Sequence, residues 1–390
     1  MIIAHVCPFY TPAIGGVKQV VEELARRQVA AGHEVHVFTS DWDKAQRVGI
    51  FEEVIDGVIV HRCRHILKVS SFSTVWPGVY RMLLAMMSGP DVIHAHVSGH
   101  LHTYLAARAT AKLKKKGRKV KFVITTHCPW ESKRSFAGTV ANWISYKFFP
   151  ALNKADAVIA ITPWEHQFLE GEGVAKDKIH TIPNGMSKEF FNVIEPNNFR
   201  KENGIPGEHK IVLFFGRLNV TKNPEMFVKI ARNILEHRKE KDVSFVIRGP
   251  DEGELPLVKE MISKFPKEIK GSIKLLKPTR DRQKIIEMYQ AADIYCLPSR
   301  REGLPLTLFE AYASGLPVIG SSVNGVSYEI EDGVNGFLLQ SSDIKRFIKK
   351  IYFLLDNDSG RLKMSKNNLN KAKGFDWDLI MQKTMNIYNG

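Results

Sequence analysis

The sequence predicts an α/β protein built from two doubly wound domains, and three observations carry that reading. At 390 residues the chain is too long for one hydrophobic core and suits two. Short apolar runs alternate with stretches of helical periodicity in two separate blocks, the pattern of parallel sheets covered by helices on both faces. Between the blocks, residues 186–209 turn polar and rich in Asn, Pro and Gly, as a linker does. The hydrophobic content of 44% and charged content of 25% are globular values. No run approaches the roughly 18 apolar residues of a membrane span. The start, Met1 to His5, lacks a basic n-region, so no signal peptide is expected. Cys7, Cys63, Cys128 and Cys296 stand far apart without a CxxC and read as reduced core or loop thiols in a cytosolic protein.

In the first block, Ile2 to Val6 reads as a central parallel strand. A loop with Gly15-Gly16 follows. Val17, Val20, Val21, Leu24 and Val29 then form the apolar stripe of a helix that Gly32 ends. Glycine amides at that helix start suit an anion, although the pattern is not GxGxxG, so a dinucleotide reading is poor. Asp41-Trp42-Asp43 could hold a divalent metal, but a polar surface loop is the simpler reading. Val58 to His61, Asp91 to Val97, Lys119 to Thr125 and Ala157 to Ile161 read as further strands. His94, His96, His100 and His102 look like a metal cluster, yet no cysteine or carboxylate stands near enough to complete one. They read instead as loop histidines at the edge of a cleft. His127 falls at the C-terminal end of a strand, where open α/β sheets bind ligands.

In the second block, the apolar strand Lys210 to Phe215 delivers Gly216-Arg217-Leu218 and then Lys222 to a loop. Two cations after a strand suit a diphosphate, and as loop residues they should matter little to stability. Val243 to Ile247 and Ile294 to Leu297 continue the strands, and residues 375–388 read as a final helix. The most informative stretch is Ser299 to Pro317. There a strand runs into a polar loop, Pro305 suits the first turn of a helix, and Gly315 and Pro317 stop it. The amides of Leu306, Thr307 and Leu308 would point out of the helix N-terminus, where phosphate is welcome. Glu302 and Glu310 beside an anion site make sense if the ligand also carries hydroxyls, as a sugar nucleotide does. An ordinary βα turn with Glu310 on the helix surface is the alternative.

The string Pro-Ser…Glu-Gly-Leu-Pro…Glu-Ala…Gly-Leu-Pro-Val resembles the signature of the retaining glycosyltransferases of family four. Pro12 to Gly16 with Val17, Gly32-His33-Glu34-Val35, Asp91 to His96, Thr126-His127, Ile182 to Gly185 and Gly216-Arg217-Leu218 with Lys222 resemble further family positions in the same order. The resemblance implies the GT-B fold: two Rossmann-like domains facing each other across a cleft. An acceptor-side domain would span residues 1–186 and a nucleotide-sugar domain 187–372, with a helix over 373–390 crossing back to the first. It implies that Glu302, His127, Arg217 and Lys222 serve catalysis. It implies that Gly16, Arg217, Lys222, Gly303, Leu304, Leu306, Thr307 and Glu310 bind the donor, Glu310 through the ribose and Glu302 through the sugar. The reaction would retain anomeric configuration. No cofactor and no metal are expected, because Arg217, Lys222 and helix N-termini already supply positive charge. The base pocket is expected near Leu276 to Arg280. The sequence departs from the family by lacking a Phe-Gly between Glu302 and Leu304-Pro305.

The net charge of +15 is uneven, with sixteen Lys/Arg and two acids, Asp91 and Glu131, between Arg62 and Lys154. Lys112, Lys114, Lys115, Lys116, Arg118 and Lys119 form its densest cluster. Such a belt suits an anionic membrane surface, a solvated surface with no partner being the alternative. The apolar run around Trp76, Tyr80 and Leu83 reads either as core or as a shallow insertion into that surface. The expected partners are then a nucleotide-diphosphate sugar and a glycan or lipid-linked acceptor. The expected location is cytoplasmic, either free or peripheral on the inner membrane face. No nucleic-acid motif is visible. A soluble acceptor, or an epimerase of the same two-lobed fold, are the alternatives.

Overall fold

The structure, a computed structural model, describes residues 1–13, 15–43, 45–70, 73–86, 89–127, 147, 150–195, 197–238 and 242–390. Cys128 lies outside the described residues. The chain divides into two compact units, Met1–Asn184 with Trp377–Gly390 and Gly185–Asp376.

The first unit holds the strands β1 (Ile2–Val6), β2 (Glu34–Ser40), β3 (Glu52–Ile55), β4 (Val58–Cys63), β5 (Leu67–Ser70), β6 (Ser73–Val75), β7 (Val92–His96), β8 (Lys121–Thr125), β9 (Ala157–Ala160) and β10 (Ile179–Thr181). Eight of them form one sheet in the order β10-β9-β8-β7-β1-β2-β4-β3, while β5 and β6 pair separately. Pairing is parallel except at the β3–β4 edge. That edge is a hairpin closed by Asp56-Gly57, whose φ values of 50° and 79° match a tight turn that follows strand twist. The chain winds from β1 toward β2 on one side and from β7 toward β8 on the other, so its direction reverses between β1 and β7. The helix Gly16–Ala30 buries Val20, Val21, Leu24, Ala25 and Gln28. The last helix, Trp377–Asn389, belongs to this unit, with Trp377, Ile380, Met385 and Tyr388 buried. Arg27 donates to Asp378 at 2.7 Å. Trp377 is fully buried, so truncating it to Ala should cost about 3–5 kcal/mol.

The second unit holds β11 (Lys210–Phe215), β12 (Val243–Arg248), β13 (Ile273–Leu276), β14 (Ile294–Leu297), β15 (Val318–Ser321) and β16 (Gly336–Leu339). They form one all-parallel sheet in the order β13-β12-β11-β14-β15-β16. Its strands read as near-continuous apolar runs because helices cover both faces. Here the winding reverses between β11 and β14. The exits of β11 and β12 approach so closely that a Cβ on Gly249 would lie 1.7 Å from the Gly216 carbonyl oxygen, a contact only glycine permits.

The proposed lipid-inserting run is a core element. Trp76 is 1% exposed and stacks on His102 with ring centroids 5.2 Å apart, and Leu83 is fully buried. Tyr80 is half-buried. The helix Gly78–Ala85 packs against the helix Leu101–Lys115 and puts Val79 and Leu83 into the core cluster, which leaves nothing of Trp76 or Leu83 for a bilayer. Among the described residues, no helix is long and apolar enough to cross a membrane.

Candidate functional site

In the second unit, the residues singled out in the sequence lie on the loops leaving β11 and β14 and on the helix Leu306–Ala313 that follows β14. Crossovers that depart in opposite directions leave a crevice above the C-terminal ends of such a strand pair. The two loops are tied together. Arg300 donates its backbone N–H to the Thr221 carbonyl at 2.8 Å, and Asn223 donates its side-chain amide to the Pro298 carbonyl at 3.1 Å. Asn223 takes a left-handed φ of 57°, which turns the chain into the helix Pro224–His237.

These ties draw Lys222 inward. Its Nζ donates to Glu302 Oε1 at 2.6 Å, and the Ser299 hydroxyl donates to the same oxygen at 2.6 Å. The two side chains are 10% and 7% exposed. Lys222 is therefore half of a buried ion pair, and the expectation that its loss would spare stability is corrected. Arg217 is about one-third exposed and donates to Glu252 Oε2 at 2.8 Å, an oxygen that also accepts from Asn219.

Glu310 is 6% exposed, so it is no surface helix residue. Its carboxylate accepts from the Tyr289 hydroxyl at 3.1 Å and lies 3.6 Å from Arg282 Nη1. Burial, with the Glu310 charge beside it, pushes the Tyr289 hydroxyl well above its ordinary range, so it stays a donor. The Leu308 N–H, expected to be open, closes onto the Pro305 carbonyl at 3.1 Å. Leu306 and Thr307 precede that bond and keep the amides of the helix opening. Gly303 and Leu304 lie in the loop before it. At the end of β13, Leu275, Leu276 and Lys277 line a cavity of about 380 Å³ with Arg248.

In the first unit, Gly16 opens the helix Gly16–Ala30 from an exposed position. A Cβ there would meet nothing within 4 Å among the described residues. Val97 follows β7 directly, His127 lies two residues past the end of β8, and they hold left-handed φ values of 72° and 50°. Non-glycine residues rarely adopt that region, and such strain gathers at functional sites. The strand end carrying His127 is braced by Glu165, whose buried carboxylate accepts the Thr126 hydroxyl and the backbone N–H groups of Ile161 and Thr162.

His94 and His96 are fully buried in β7, and His102 is 3% exposed in the next helix. They are not loop residues. A central parallel strand is covered on both faces, so every residue of β7 is inside. His5 sits in register with His94 and completes a trio, His5, His94 and His96, with ring nitrogens within 4.8 Å of one another. Each of their ring nitrogens already has a hydrogen-bond partner, so no ion is needed to satisfy them. Burial pushes His127 down to about 3 and His5 to about 4, and drives His94 and His96 far below the ordinary histidine range. All four are neutral at neutral pH.

Asp41 is no surface loop residue either. It is 2% exposed and takes the His65 backbone N–H at 2.9 Å, while Asp43 caps the turn at Ala45 and Gln46. Lys112, Lys114, Lys115, Lys116, Arg118 and Lys119 are all exposed around the end of the helix Leu101–Lys115. Lys114 is tied to Asp156 at 2.7 Å.

Residues 14–190 match the family described as Glycosyltransferase Family 4, and residues 196–371 match the one described as Glycosyl transferases group 1. The chain belongs to the group 1, family-four glycosyltransferases. This glycosyltransferase is 26% identical over 387 residues to D-inositol 3-phosphate glycosyltransferase 1 of Catenulispora acidiphila, covering 96% of this chain and 90% of the relative. It is 25% identical to the D-inositol 3-phosphate glycosyltransferase of Corynebacterium aurimucosum, covering 100% and 94%. Sucrose-phosphate synthase from Thermosynechococcus elongatus has a similar structure, with a TM-score of 0.77, 20% identity and coverage of 100% and 98%. Anabaena HepE in complex with UDP follows at a TM-score of 0.75, 16% identity and 99% coverage of both chains. The fold is GT-B.

Sequence reasoning about the glycosyltransferase missed the groups that hold its singled-out residues: Ser299, Tyr289, Arg282, Glu165 and Gln28. One signal was available. Gln28 continues the Val21, Leu24, Ala25 face at helical spacing, a polar side chain on an apolar stripe.

Proposed function

We propose that this glycosyltransferase moves a hexosyl unit from a nucleotide-diphosphate sugar to an acceptor hydroxyl with retention of configuration, without a metal. The observation that carries the reading is the gathering of Arg217, Lys222, Glu302 and Glu310 around the reversal between β11 and β14. On this reading the carboxylates meet hydroxyls, Glu310 on the ribose and Glu302 on the sugar. Arg217, Lys222 and the opening amides of Leu306 and Thr307 face the diphosphate. Charge grows on the leaving phosphate as the glycosidic bond breaks, and cations already in place stabilise it without reorganising. Glu302 and Glu310 come from one loop and helix, so they are not read as a carboxylate pair straddling a bond, as glycosidases require. In the second unit the amides of Gly303 and Leu304 add to these contacts. By itself the first unit offers the Gly16 amide to phosphate and the His127 side chain to the sugar.

The first acceptor reading is a lipid-linked or cell-surface glycan precursor on the cytoplasmic face, with the exposed Lys112–Lys119 cluster docking on anionic lipid. The burial of Trp76 and Leu83 removes the insertion that would have reinforced it. A second reading, a soluble phosphorylated polyol, is favoured by relatives named for D-inositol 3-phosphate. Thermal-shift titration with UDP-, GDP-, ADP- and dTDP-sugars tests the donor. A ligand at 100 times its Kd should add about 2.7 kcal/mol of stability, and no shift with any of them would overturn the donor reading. Flotation with anionic vesicles decides the acceptor side. Binding that falls with salt and with Lys112–Lys119 changed to Gln supports the membrane, whereas protein left in the soluble fraction at low salt supports the soluble acceptor.

A further inference from the structure

Buried between the sheet of the first unit and its last helix lies a chain of hydrogen bonds whose direction is set by one residue. Gln28 is fully buried. Its side-chain NH₂ faces Met385 Sδ at 3.9 Å. The amide oxygen of Gln28 therefore faces His5 Nε2, 2.7 Å away, and can only accept. A neutral imidazole carries one N–H. With that proton on Nε2 of His5, its Nδ1 is an acceptor and takes the N–H of His96 Nε2 at 3.0 Å. His96 Nδ1 is then an acceptor in turn and takes the N–H of His127 Nε2 at 3.0 Å. Every step is forced by the one before. A second set of bonds lies beside it. The Tyr388 hydroxyl is 2.6 Å from His94 Nδ1, and His94 Nε2 is 2.7 Å from the Thr125 hydroxyl. The chain requires neutral rings, and burial keeps them, and that of His94, neutral.

We propose that Gln28, His5 and His96 are positioning residues that hold His127 as the Nε2–H tautomer, leaving its Nδ1 lone pair as the acceptor for a hydroxyl of the transferred sugar. This rests on the reading of His127 as a donor-sugar contact. The chain has a physical purpose beyond packing. An isolated neutral histidine exchanges between two tautomers, and only one of them leaves Nδ1 as an acceptor. Three successive bonds to a buried amide remove that choice. His127 is also held at a left-handed φ, so its backbone and its ring are both constrained.

Histidine-selective isotope labelling of the full-length protein tests this, because nitrogen resonances distinguish N–H from bare nitrogen. His127→Gln assigns the relevant signals. His5, His96 and His127 should each appear as the neutral Nε2–H form and stay so between about pH 6 and 8. An Nδ1–H form of His127 in the wild type overturns the proposal without any variant. Gln28→Met removes the terminal acceptor. It should give His127 a mixed tautomer population and lower turnover by about tenfold, the size of one hydrogen bond to a reacting group. Gln28→Glu still accepts from His5 and should restore both the Nε2–H signal and most of the turnover. An unchanged His127 spectrum in Gln28→Met, or loss of turnover equal in both Gln28 variants with the spectrum intact, counts against a positioning role. If the tautomers are as stated but His127→Gln transfers sugar at the wild-type rate, the sugar-contact reading falls while the chain stands.

Discussion

Replacing Lys222 by Met tests the second-unit site on both stability and rate. The ammonium lies 2.6 Å from Glu302 Oε1, and both side chains are at most one-tenth exposed. Met keeps the length of the stem and removes the charge. The Glu302 carboxylate then stays buried with the Ser299 hydroxyl and without its cation. Breaking a buried pair by removing one partner costs about 3–5 kcal/mol, chiefly because an uncompensated charge remains inside. For a domain the size of Gly185–Asp376, each kcal/mol moves the midpoint by roughly 2–4 °C, so a drop of roughly 6–20 °C is expected. A two-unit chain need not melt in one step, so calorimetry should follow the transition of the second unit by itself. The double variant Lys222→Met/Glu302→Gln removes both charges, keeps an oxygen for Ser299, and should regain most of the lost stability. Its turnover should stay low, because the cation facing the leaving phosphate and the Glu302 carboxylate are both missing. Recovery of stability without recovery of rate separates the pair's share in stability from the site's share in catalysis. If Lys222→Met melts with the wild type, the ion pair is not formed. If the double variant is no more stable than the single one, buried charge is not the cause.

Four further outcomes are expected. Glu310→Ala should weaken nucleotide-sugar binding about ten- to hundred-fold by calorimetric titration, while Glu302→Ala mainly lowers turnover; wild-type constants in both would remove the carboxylates from the site. Gly16→Ala should leave the melting midpoint unchanged, since its Cβ meets nothing within 4 Å among the described residues. It should still raise KM for the donor, and an unchanged KM would place the phosphate elsewhere. Burial raises the Glu165 carboxyl from 4.5 to about 7 against the hydrogen bonds it accepts. The folded state then holds this proton more tightly than the unfolded chain does, so its share of stability is full below pH 4.5, falls as pH rises to about 7, and stays low above. Glu165→Gln should accordingly gain up to about 3 kcal/mol on the wild type between about pH 5 and pH 8 in urea denaturation, and equal differences at both pH values would refute the shift. Transfer should survive EDTA, and loss restored by Mg²⁺ or Mn²⁺ would show that the cations in place do not suffice.

The sequence by itself determined the kind of fold, because apolar runs such as Ile2 to Val6 and Lys210 to Phe215 can only be buried strands, and Pro305 and Gly315 punctuate a helix through local geometry alone. It also marked the residues with chemistry to offer, Glu302, Glu310, Arg217 and Lys222, since charged groups between apolar strands and helix starts have few structural excuses. Partnership was decided only in three dimensions. That Lys222 neutralises Glu302 depends on Thr221 and Asn223 meeting the loop after β14, contacts some 80 residues apart in the chain. Trp76 and Leu83 read equally well as core or as membrane face, because periodicity shows that a side is apolar and not what covers it. The histidines were misread for the same reason. Their burial and partners follow from β1 lying beside β7, and from Gln28 on the first helix meeting His5, and no local pattern carries that pairing.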